Sequence, residues 1–269
     1  MRSKRTITGI SGVARNAQAN VPLEVNRRYH SVIFATALAG VATIASGVIA
    51  KLDVLVNEKS VWQVSAAELL KWNASIGLPD PVGQLTLNFS RPDLADIINE
   101  EACAFDTFNE RSFRIVVTMA DVANVELQGE AYYDLIPNRD AAGNPAKIIL
   151  RLNSFRESFP IGRKDWTTID KTRPILRIML DAATAFPDTG VEVLADDATV
   201  FEGSLKINAA MLGKYGIDAT QYKAPLAFNF TNRLDDGLVV SKSLNVRITN
   251  TAAQDVSALV ESFSTSFAS

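Results

Sequence analysis

The side chains that could carry out chemistry are few in this sequence. His30 is the only histidine and Cys103 the only cysteine. A Ser-His-Asp or Cys-His arrangement needs a histidine, and His30 stands beside Tyr29 at the entrance of a predicted strand, which favours a structural or surface role. Cys103, in the sequence EEACAF, is predicted to be a small core residue. Because no phosphate-binding glycine loop or clustered Cys/His set occurs, we predict neither an enzyme nor a cofactor.

Two acidic pairs, Asp196-Asp197 and Asp235-Asp236, are the candidates for metal binding. Carboxylate oxygens are ligands that Ca²⁺ prefers. Acidic residues in turns are usually only solvated, however. We therefore expect no bound metal and keep structural calcium as the alternative.

Positive charge is concentrated at the start of the chain, which has 269 residues and a formal net charge of −3. Residues 1–28 contain one acid, Glu24. They contain six basic residues: Arg2, Lys4, Arg5, Arg15, Arg27 and Arg28. Taking these from the totals of 27 basic and 30 acidic residues leaves 21 basic and 29 acidic residues. A basic segment therefore precedes an acidic body.

Residues 1–20 are predicted to form a basic arm, with Arg2, Lys4, Arg5 and Arg15 as its binding residues. Such an arm would bind an anionic surface by electrostatic attraction. Because no aromatic residues are interleaved with these charges, sequence-specific binding of nucleic acid is not expected. Docking to an acidic lipid surface is favoured. Ordering in a subunit interface and non-specific contact with nucleic acid are the alternatives.

Residues 31–50, SVIFATALAGVATIASGVIA, contain no charge and have the length of a membrane-spanning helix. Arg27 and Arg28 precede them, as in a signal-anchor. The segment holds a single leucine, however, and its mixture of small and β-branched residues equally suits two strands joined by a loop. These residues alone leave both interpretations open.

An internal repeat distinguishes the two interpretations. Five segments of the first half have counterparts in the second half, in the same order. They are RRYHSVIF and TRPILRIM (from residues 27 and 172), VLVNEKSVW and VLADDATVF (54 and 193), SAAELLKW and NAAMLGKY (65 and 208), LTLNFSR and LAFNFTN (85 and 226), and FRIVVT and LNVRIT (113 and 244). The third pair predicts two short helices with Ser65 and Asn208 as N-caps. The counterpart of residues 31–50 contains Asp181, Pro187 and Asp188, which no membrane helix would hold, so strand, loop and strand are predicted.

The repeat also bears on the three tryptophans, Trp62, Trp72 and Trp166, which could form a surface that stacks on sugars. Trp62 and Trp72 align with Phe201 and Tyr215 in the second half. Aromatic character kept in both halves favours packing in the core. A carbohydrate-binding surface is the alternative.

The predicted fold is all-β, with two tandem eight-stranded jelly-roll barrels that each carry one short helix. Many short strand candidates and turn signals occur in each half, without the regular alternation of strand and long helix of a parallel sheet. The predicted bounds are an arm at 1–20, a first barrel at 21–136, a connection at 137–168 and a second barrel at 169–269. A strand is predicted within the connection, at residues 147–152.

Together the basic arm, the helices SAAELL and NAAMLG after an acidic turn, and the linker FPIGRKDWTTID resemble one family. The chain looks like a double jelly-roll major coat protein of icosahedral, internal-membrane viruses, closest to the corticovirus type. The resemblance extends over residues 23–263 and includes no catalytic signature.

This resemblance implies a structural subunit of a virion capsid, assembled in the host cytoplasm. Three copies would form a homotrimer whose six barrels give a capsomer of nearly hexagonal outline. Its partners would be neighbouring capsomers, vertex and minor membrane-associated coat proteins, and an internal lipid membrane faced by Arg2, Lys4, Arg5 and Arg15. A two-domain carbohydrate-binding, lectin-like jelly-roll protein is the alternative.

Overall fold

The structure, a computed structural model, describes residues 2–91, 103–139, 147–228 and 237–267. The chain divides into two compact units. The first comprises Met1–Ala74, Leu78–Leu152 and Ser264–Ser269. The second comprises Ser75–Gly77 and Asn153–Phe263.

Ten strands and one α-helix are described before residue 140. In chain order they are β1 (Ser3–Thr6), β2 (Gln18–Leu23), β3 (Arg28–Leu38), β4 (Val41–Ala42), β5 (Ile49–Val56), β6 (Lys59–Ser65), α1 (Ala66–Ser75), β7 (Gln84–Asn88), β8 (Phe105–Asp106), β9 (Phe113–Met119) and β10 (Val125–Asp134). A 3-10 turn, Ala45–Gly47, precedes β5.

Eight strands and one α-helix are described after residue 146. They are β11 (Ile149–Phe159), β12 (Gly162–Trp166), β13 (Ile175–Ala182), β14 (Val191–Ala195), β15 (Ala198–Glu202), α2 (Leu205–Lys214), β16 (Ala224–Ala227), β17 (Leu244–Asn250) and β18 (Gln254–Ser264). A second 3-10 turn, Ala219–Gln221, follows α2. Neither α1 nor α2, the α-helices of the described residues, is long and apolar enough to cross a membrane.

The first unit contains two antiparallel sheets. In one sheet β10 lies between β1 and β3, and β4, β7 and β8 also pair with β3. In the other sheet the strand order is β2-β9-β5-β6. Buried and half-buried residues alternate along β9, as expected of a strand with one face on the core.

The second unit repeats this arrangement. Its two strand orders are β11-β18-β13-β16 and β12-β17-β14-β15. They correspond strand for strand to β1-β10-β3-β7 and β2-β9-β5-β6 of the first unit, and β17 shows the same burial alternation as β9. The predicted repeat is therefore confirmed, as are the two all-β jelly rolls, each of which has one short helix among its described residues.

The uncharged segment at residues 31–50 forms strands. It contains the end of β3, the short strand β4, the 3-10 turn and the start of β5 at Ile49. Ala39 and Gly40, in the turn between β3 and β4, have positive φ angles of 48° and 78°. The small residues that weakened the membrane interpretation therefore form a tight turn, and the prediction of strand, loop and strand is confirmed.

The two helices differ in their caps. In α1 the predicted capping box is present: the Ser65 hydroxyl accepts from the Glu68 N–H (3.2 Å), and the Glu68 carboxylate accepts from the Ser65 N–H (3.2 Å). In α2 the N-cap is Ser204, whose hydroxyl accepts from the Ile207 N–H at 3.2 Å. The prediction of Asn208 as N-cap was wrong. Asn208 lies inside α2, where its side-chain amide donates to the Pro225 carbonyl at 2.5 Å.

The predicted bounds of the arm and the connection differ from the compact units. Residues 1–20 do not lie outside the sheets, because β1 pairs with β10 and β2 begins at Gln18. The connection at 137–168 contains β11 and β12, and the second unit begins at Asn153. β1 has the sequence SKRT and is mostly exposed, so no apolar alternation marked it as a strand.

Residues near the end of the chain complete the first unit. The Arg151 guanidinium donates to the Ser264 hydroxyl (3.1 Å) and to the carbonyls of Ser266 (3.2 Å) and Phe267 (3.4 Å). The Phe267 ring packs edge-on against Phe105, with the ring centroids 5.0 Å apart. The last described residues therefore contribute to the core of the first unit, although more than a hundred residues of the second unit precede them.

Candidate functional site

The basic residues predicted to form a binding arm lie on and near β1. Lys4 pairs with Glu130 at 2.7 Å, and Arg5 pairs with Glu24. Hydrogen bonding to Glu130 raises the pKa of Lys4. These side chains are about half exposed. Positive charge on β1 is thus partly matched by carboxylates of the same unit.

Arg15 and Arg2 lie apart from this pair of residues. Arg15, between β1 and β2, contacts Asp121 through its Nε atom, and both side chains are exposed. Arg2 directly precedes β1 and is exposed. The structure therefore brings Lys4 and Arg5 together on one strand and does not gather all four basic residues into a single cluster.

A small hollow lies beside β1. It has a volume of about 220 Å³, below the ~300–1,000 Å³ of cavities that hold drug-sized ligands. Its lining residues are Arg5, Thr6, Ile7, Thr8, Pro22, Leu23, Glu24, Tyr29, Ala131 and Tyr133. The Tyr29 hydroxyl donates to the Glu24 carbonyl at 2.7 Å, and burial raises the pKa of Tyr29. This hydrogen bond fixes one wall of the hollow.

A buried polar cluster centres on Asp134, at the end of β10. One carboxylate oxygen accepts from Arg28 Nη2 (2.6 Å) and from His30 Nε2 (3.0 Å). The other accepts from Arg28 Nε (3.1 Å) and from the Ile136 N–H (3.1 Å). The exposed fractions of the Asp134, His30 and Arg28 side chains are 4%, 6% and 14%. One carboxylate therefore holds the adjacent ends of β3 and β10 together.

The cluster continues to the short strand β8. Arg28 Nη1 donates to Asn138 Oδ1 (3.1 Å), and the Asn138 amide side chain donates to the Ala104 carbonyl (2.9 Å). The Asn138 N–H donates to Asp106 Oδ2 at 2.7 Å. The cluster thus satisfies polar groups from β3, β8 and β10 within the interior.

The pKa values in the cluster follow from burial and hydrogen bonding. Burial lowers the pKa of His30 below its usual value, and this outweighs the opposite effect of the hydrogen bond with Asp134. For Asp134, burial alone would raise the pKa, but the hydrogen bonds from Arg28 and His30 outweigh burial, so its pKa is lowered. A charged Asp134 beside a neutral His30 is therefore the stable combination near neutral pH.

Ser90 gives the cluster the composition of a catalytic triad without its geometry. The Ser90 hydroxyl lies 3.3 Å from His30 Nδ1 and 3.1 Å from the His30 carbonyl oxygen. Ser90, His30 and Asp134 are all buried, with 8%, 5% and 3% of the whole residue exposed, backbone included. A substrate carbonyl has no access to a hydroxyl packed in this way. The contacts of His30 match the structural role expected of it.

The candidate calcium pair at 196–197 has another use in the structure. The Asp196 carboxylate accepts backbone N–H bonds from residues 241–243, at distances of 2.5–3.0 Å. These hydrogen bonds lower the pKa of Asp196 to about 2. Asp235-Asp236 lies outside the described residues. Within the residues described, no group of three or more His, Cys, Asp or Glu side chains could hold a metal ion. Structural calcium stays a prediction.

The tryptophans offer no surface for sugar. Trp62, Trp72 and Trp166 are each 0% exposed. The Trp62 and Trp72 rings pack edge-on with centroids 6.0 Å apart, and Trp166 packs edge-on against Phe159 at 5.5 Å. The prediction of core packing is confirmed, and nothing in these residues supports the lectin alternative.

Sequence analysis did not identify the link between His30 and Asp134, because 104 residues separate them. It also missed a partly exposed charged face on the second unit. Arg247 of β17 donates to Asp165 of β12 (2.8 Å) and to Glu192 of β14 (3.0 Å). In each of the three strands a charged residue stands next to a buried apolar one, and this alternation is the only sequence signal of the face. The pairs are Asp165-Trp166, Val191-Glu192 and Val246-Arg247. It presents interlocked ion pairs to solvent.

Two family models match the chain. The model of the viral coat protein P2 N-terminal domain matches residues 4–134, and that of the viral coat protein P2 C-terminal domain matches residues 150–266. A search of curated proteins finds no match.

Several solved capsid proteins share the fold. The major capsid protein P2 from bacteriophage PM2 is 16% identical, with a TM-score of 0.83 over 98% of this chain and 97% of that chain. A chain of Sulfolobus Turreted Icosahedral Virus is 10% identical, with a TM-score of 0.72 over 99% and 92%. The Faustovirus major capsid protein is 7% identical, with a TM-score of 0.67 over 98% and 90%. These likenesses show the double jelly-roll fold.

The predicted resemblance to double jelly-roll coat proteins is therefore confirmed. The family matches begin within β1 and end within the residues that complete the first unit, so they include both jelly rolls. The chain belongs to the viral coat protein P2 family and is a structural protein of a virus capsid.

Proposed function

We propose that the chain is a major capsid subunit that assembles as a homotrimer with a pseudo-hexameric outline. The observation that carries this proposal is the repeated strand order of the two units. Two units of one topology but different sequence give each subunit two unlike sides. A contact between unlike sides is heterologous, and it closes into a ring when the rotation permits.

Three copies bring six jelly rolls around one axis. A threefold assembly then approximates a sixfold tile, and neighbouring tiles meet through edges that differ in sequence. Such tiles would cover an icosahedral shell over an internal membrane, with vertex and minor membrane-associated coat proteins as further partners. Assembly in the host cytoplasm belongs to the same proposal.

Native mass spectrometry of the purified chain tests the homotrimer. We expect a species of three times the 29.2 kDa chain mass, whose proportion rises with protein concentration. Its total buried surface should exceed ~2,000 Å², as in obligate assemblies. A monomer that persists at every concentration would contradict the proposal, and so would a closed dimer.

We also propose that Arg2, Lys4, Arg5 and Arg15 face anionic lipid. The support is their exposure, because exposed ion pairs are weak and can exchange their carboxylates for lipid phosphates. Replacing all four by glutamine should reduce co-sedimentation with vesicles that contain phosphatidylserine. A control variant carries four glutamines at exposed basic residues elsewhere: Arg156, Arg163, Lys206 and Lys214. Equal loss of binding in both variants would contradict a role specific to the four residues.

A further inference from the structure

Strands β6 and β15 are counterparts in the repeat, but their exposure differs. In each strand the register shifts by one residue against the preceding strand. The shift lies opposite Val54 and Leu55 of β5 in the case of β6, and opposite Val193 and Leu194 of β14 in the case of β15. The extra residue in each case is a valine. Val61 of β6 is 0% exposed, whereas Val200 of β15 is 40% exposed. The same local structure is therefore covered in the first unit and open in the second.

Residues of the chain itself lie against β6. The Trp62 indole N–H donates to the Leu150 carbonyl at 2.7 Å, and Arg151 Nη1 donates to the Ser60 carbonyl at 3.3 Å. All four residues belong to the first unit. The first unit thus includes a segment, Leu150 and Arg151, that covers the outer edge of β6.

The corresponding edge of β15 has no such cover within the described residues. β15 is the last strand of its sheet, and four of its five residues are exposed. An open edge strand presents unpaired backbone groups to which another strand can bind. The irregularity at Val200 does not prevent this, because β6 carries the same irregularity and is nonetheless covered.

We propose that β15 binds a second copy of this chain, through the amino-terminal end of that copy's β1. The inference rests on the proposed homotrimer and assigns one of its contacts; in the homotrimer Arg2 would lie in this contact, while Lys4, Arg5 and Arg15 remain the residues that face lipid. Leu150 and Arg151 belong to β11, and β1 is the counterpart of β11, since β1 lies beside β10 as β11 lies beside β18. By this correspondence, the start of β1, at Arg2 and Ser3, is the segment that would cover β15.

The chemistry of the two surfaces suits this contact. β15 supplies the β-branched residues Thr199 and Val200, which favour an extended neighbour. The amino-terminal end of β1 is held extended by its pairing with β10, and Arg2 just before it is exposed, so little conformational freedom is lost when this segment binds. Val200, covered by the second copy, would then reach the burial that Val61 has within its own unit.

A charge at Val200 tests the contact. Val200→Lys should weaken homotrimer formation about tenfold or more, because a lysine would have to lose water in an apolar contact. Val239→Lys is the matched control, since Val239 is 68% exposed and belongs to the same unit. Circular dichroism should show that both variants keep the fold and the melting temperature of the unchanged chain. Normal homotrimer formation by folded Val200→Lys, or equal weakening by both variants, would overturn the proposal.

Photo-crosslinking identifies the partner segment directly. A benzophenone amino acid at position 200 should give a product of twice the chain mass, and peptide mapping should join position 200 to Arg2 or Ser3 of another chain. Crosslinks confined to one chain, or to a different segment of the second copy, would overturn the proposal even if homotrimers form. If the unchanged chain stays monomeric and gives no intermolecular product, the homotrimer itself fails and the contact fails with it.

Discussion

Replacing Asp134 by asparagine removes the negative charge on which the buried cluster of the first unit depends. The carboxylate accepts two hydrogen bonds from Arg28, one from His30 and one from the Ile136 N–H. An asparagine side chain keeps one acceptor oxygen and turns an N–H₂ group toward the remaining donors. The variant therefore takes the Asp134 charge away from the Arg28 guanidinium in a site where the Arg28 side chain is only 14% exposed.

The magnitude follows from this burial. Removing one partner of a buried ion pair costs about 3–5 kcal/mol. Arg28 keeps some contact with water and its hydrogen bond to Asn138. We therefore expect the lower end of that range, a loss of about 3 kcal/mol in the free energy of unfolding of the first unit.

Urea denaturation at pH 7, followed by tryptophan fluorescence, measures this loss. Asp121→Asn is the control, because Asp121 also pairs with an arginine, Arg15, but is 61% exposed. The control should change the free energy of unfolding by no more than about 0.5 kcal/mol. A loss below about 1 kcal/mol for Asp134→Asn, or equal losses for both variants, would refute the argument that burial makes this pair important.

Two further predictions follow from single residues. Burial lowers the pKa of His30 below its usual 6.5, so the unfolded chain takes up a proton at a higher pH than the folded chain does. The free energy of unfolding should therefore fall as the pH drops below about 6.5, by at most ~1.4 kcal/mol per pH unit. His30→Gln should flatten this pH dependence, and an unchanged slope would contradict the assignment. Gly12 and Gly40 have nearly equal φ angles, +79° and +78°, so an alanine would strain the backbone equally at both positions. Their surroundings differ: a Cβ at Gly12 would lie 2.4 Å from the Gln18 carbonyl oxygen, whereas a Cβ at Gly40 would meet nothing within 4 Å. In urea denaturation Gly12→Ala should therefore cost at least about 1 kcal/mol more than Gly40→Ala, and equal costs would show that the turn adjusts freely.

The sequence predicted the repeated architecture well because strand periodicity is local information. The five matched segments fall on β3, β5 with β6, α1, β7 and β9 and on their counterparts in the second unit. The match between the two helices was out of register, because the similar sequences SAAELL and NAAMLG aligned Ser65 with Asn208. The N-caps that correspond in the structure are Ser65 and Ser204. Short-range similarity of composition was stronger there than the capping signal.

Long-range features could not be predicted in the same way. β1 has no apolar residue, and its place in the sheet depends on pairing with β10, more than a hundred residues away. The same holds for the ion pair between Arg28 and Asp134. Isolated charges in a sequence do not reveal their partners. The predicted arm therefore contained a strand, and the buried cluster went unnoticed apart from His30.

The return of the last described residues to the first unit has a consequence for biosynthesis. A ribosome releases the amino-terminal half of a chain first, and domains generally fold in that order. Here the core around Phe105 lacks Phe267, and Arg151 lacks three of its acceptors, until translation has passed the second unit. The first unit must therefore wait for the second to be synthesised. A nascent chain truncated before Ser264 would expose an unfinished core, so folding of the first unit reports that the second unit has already been translated.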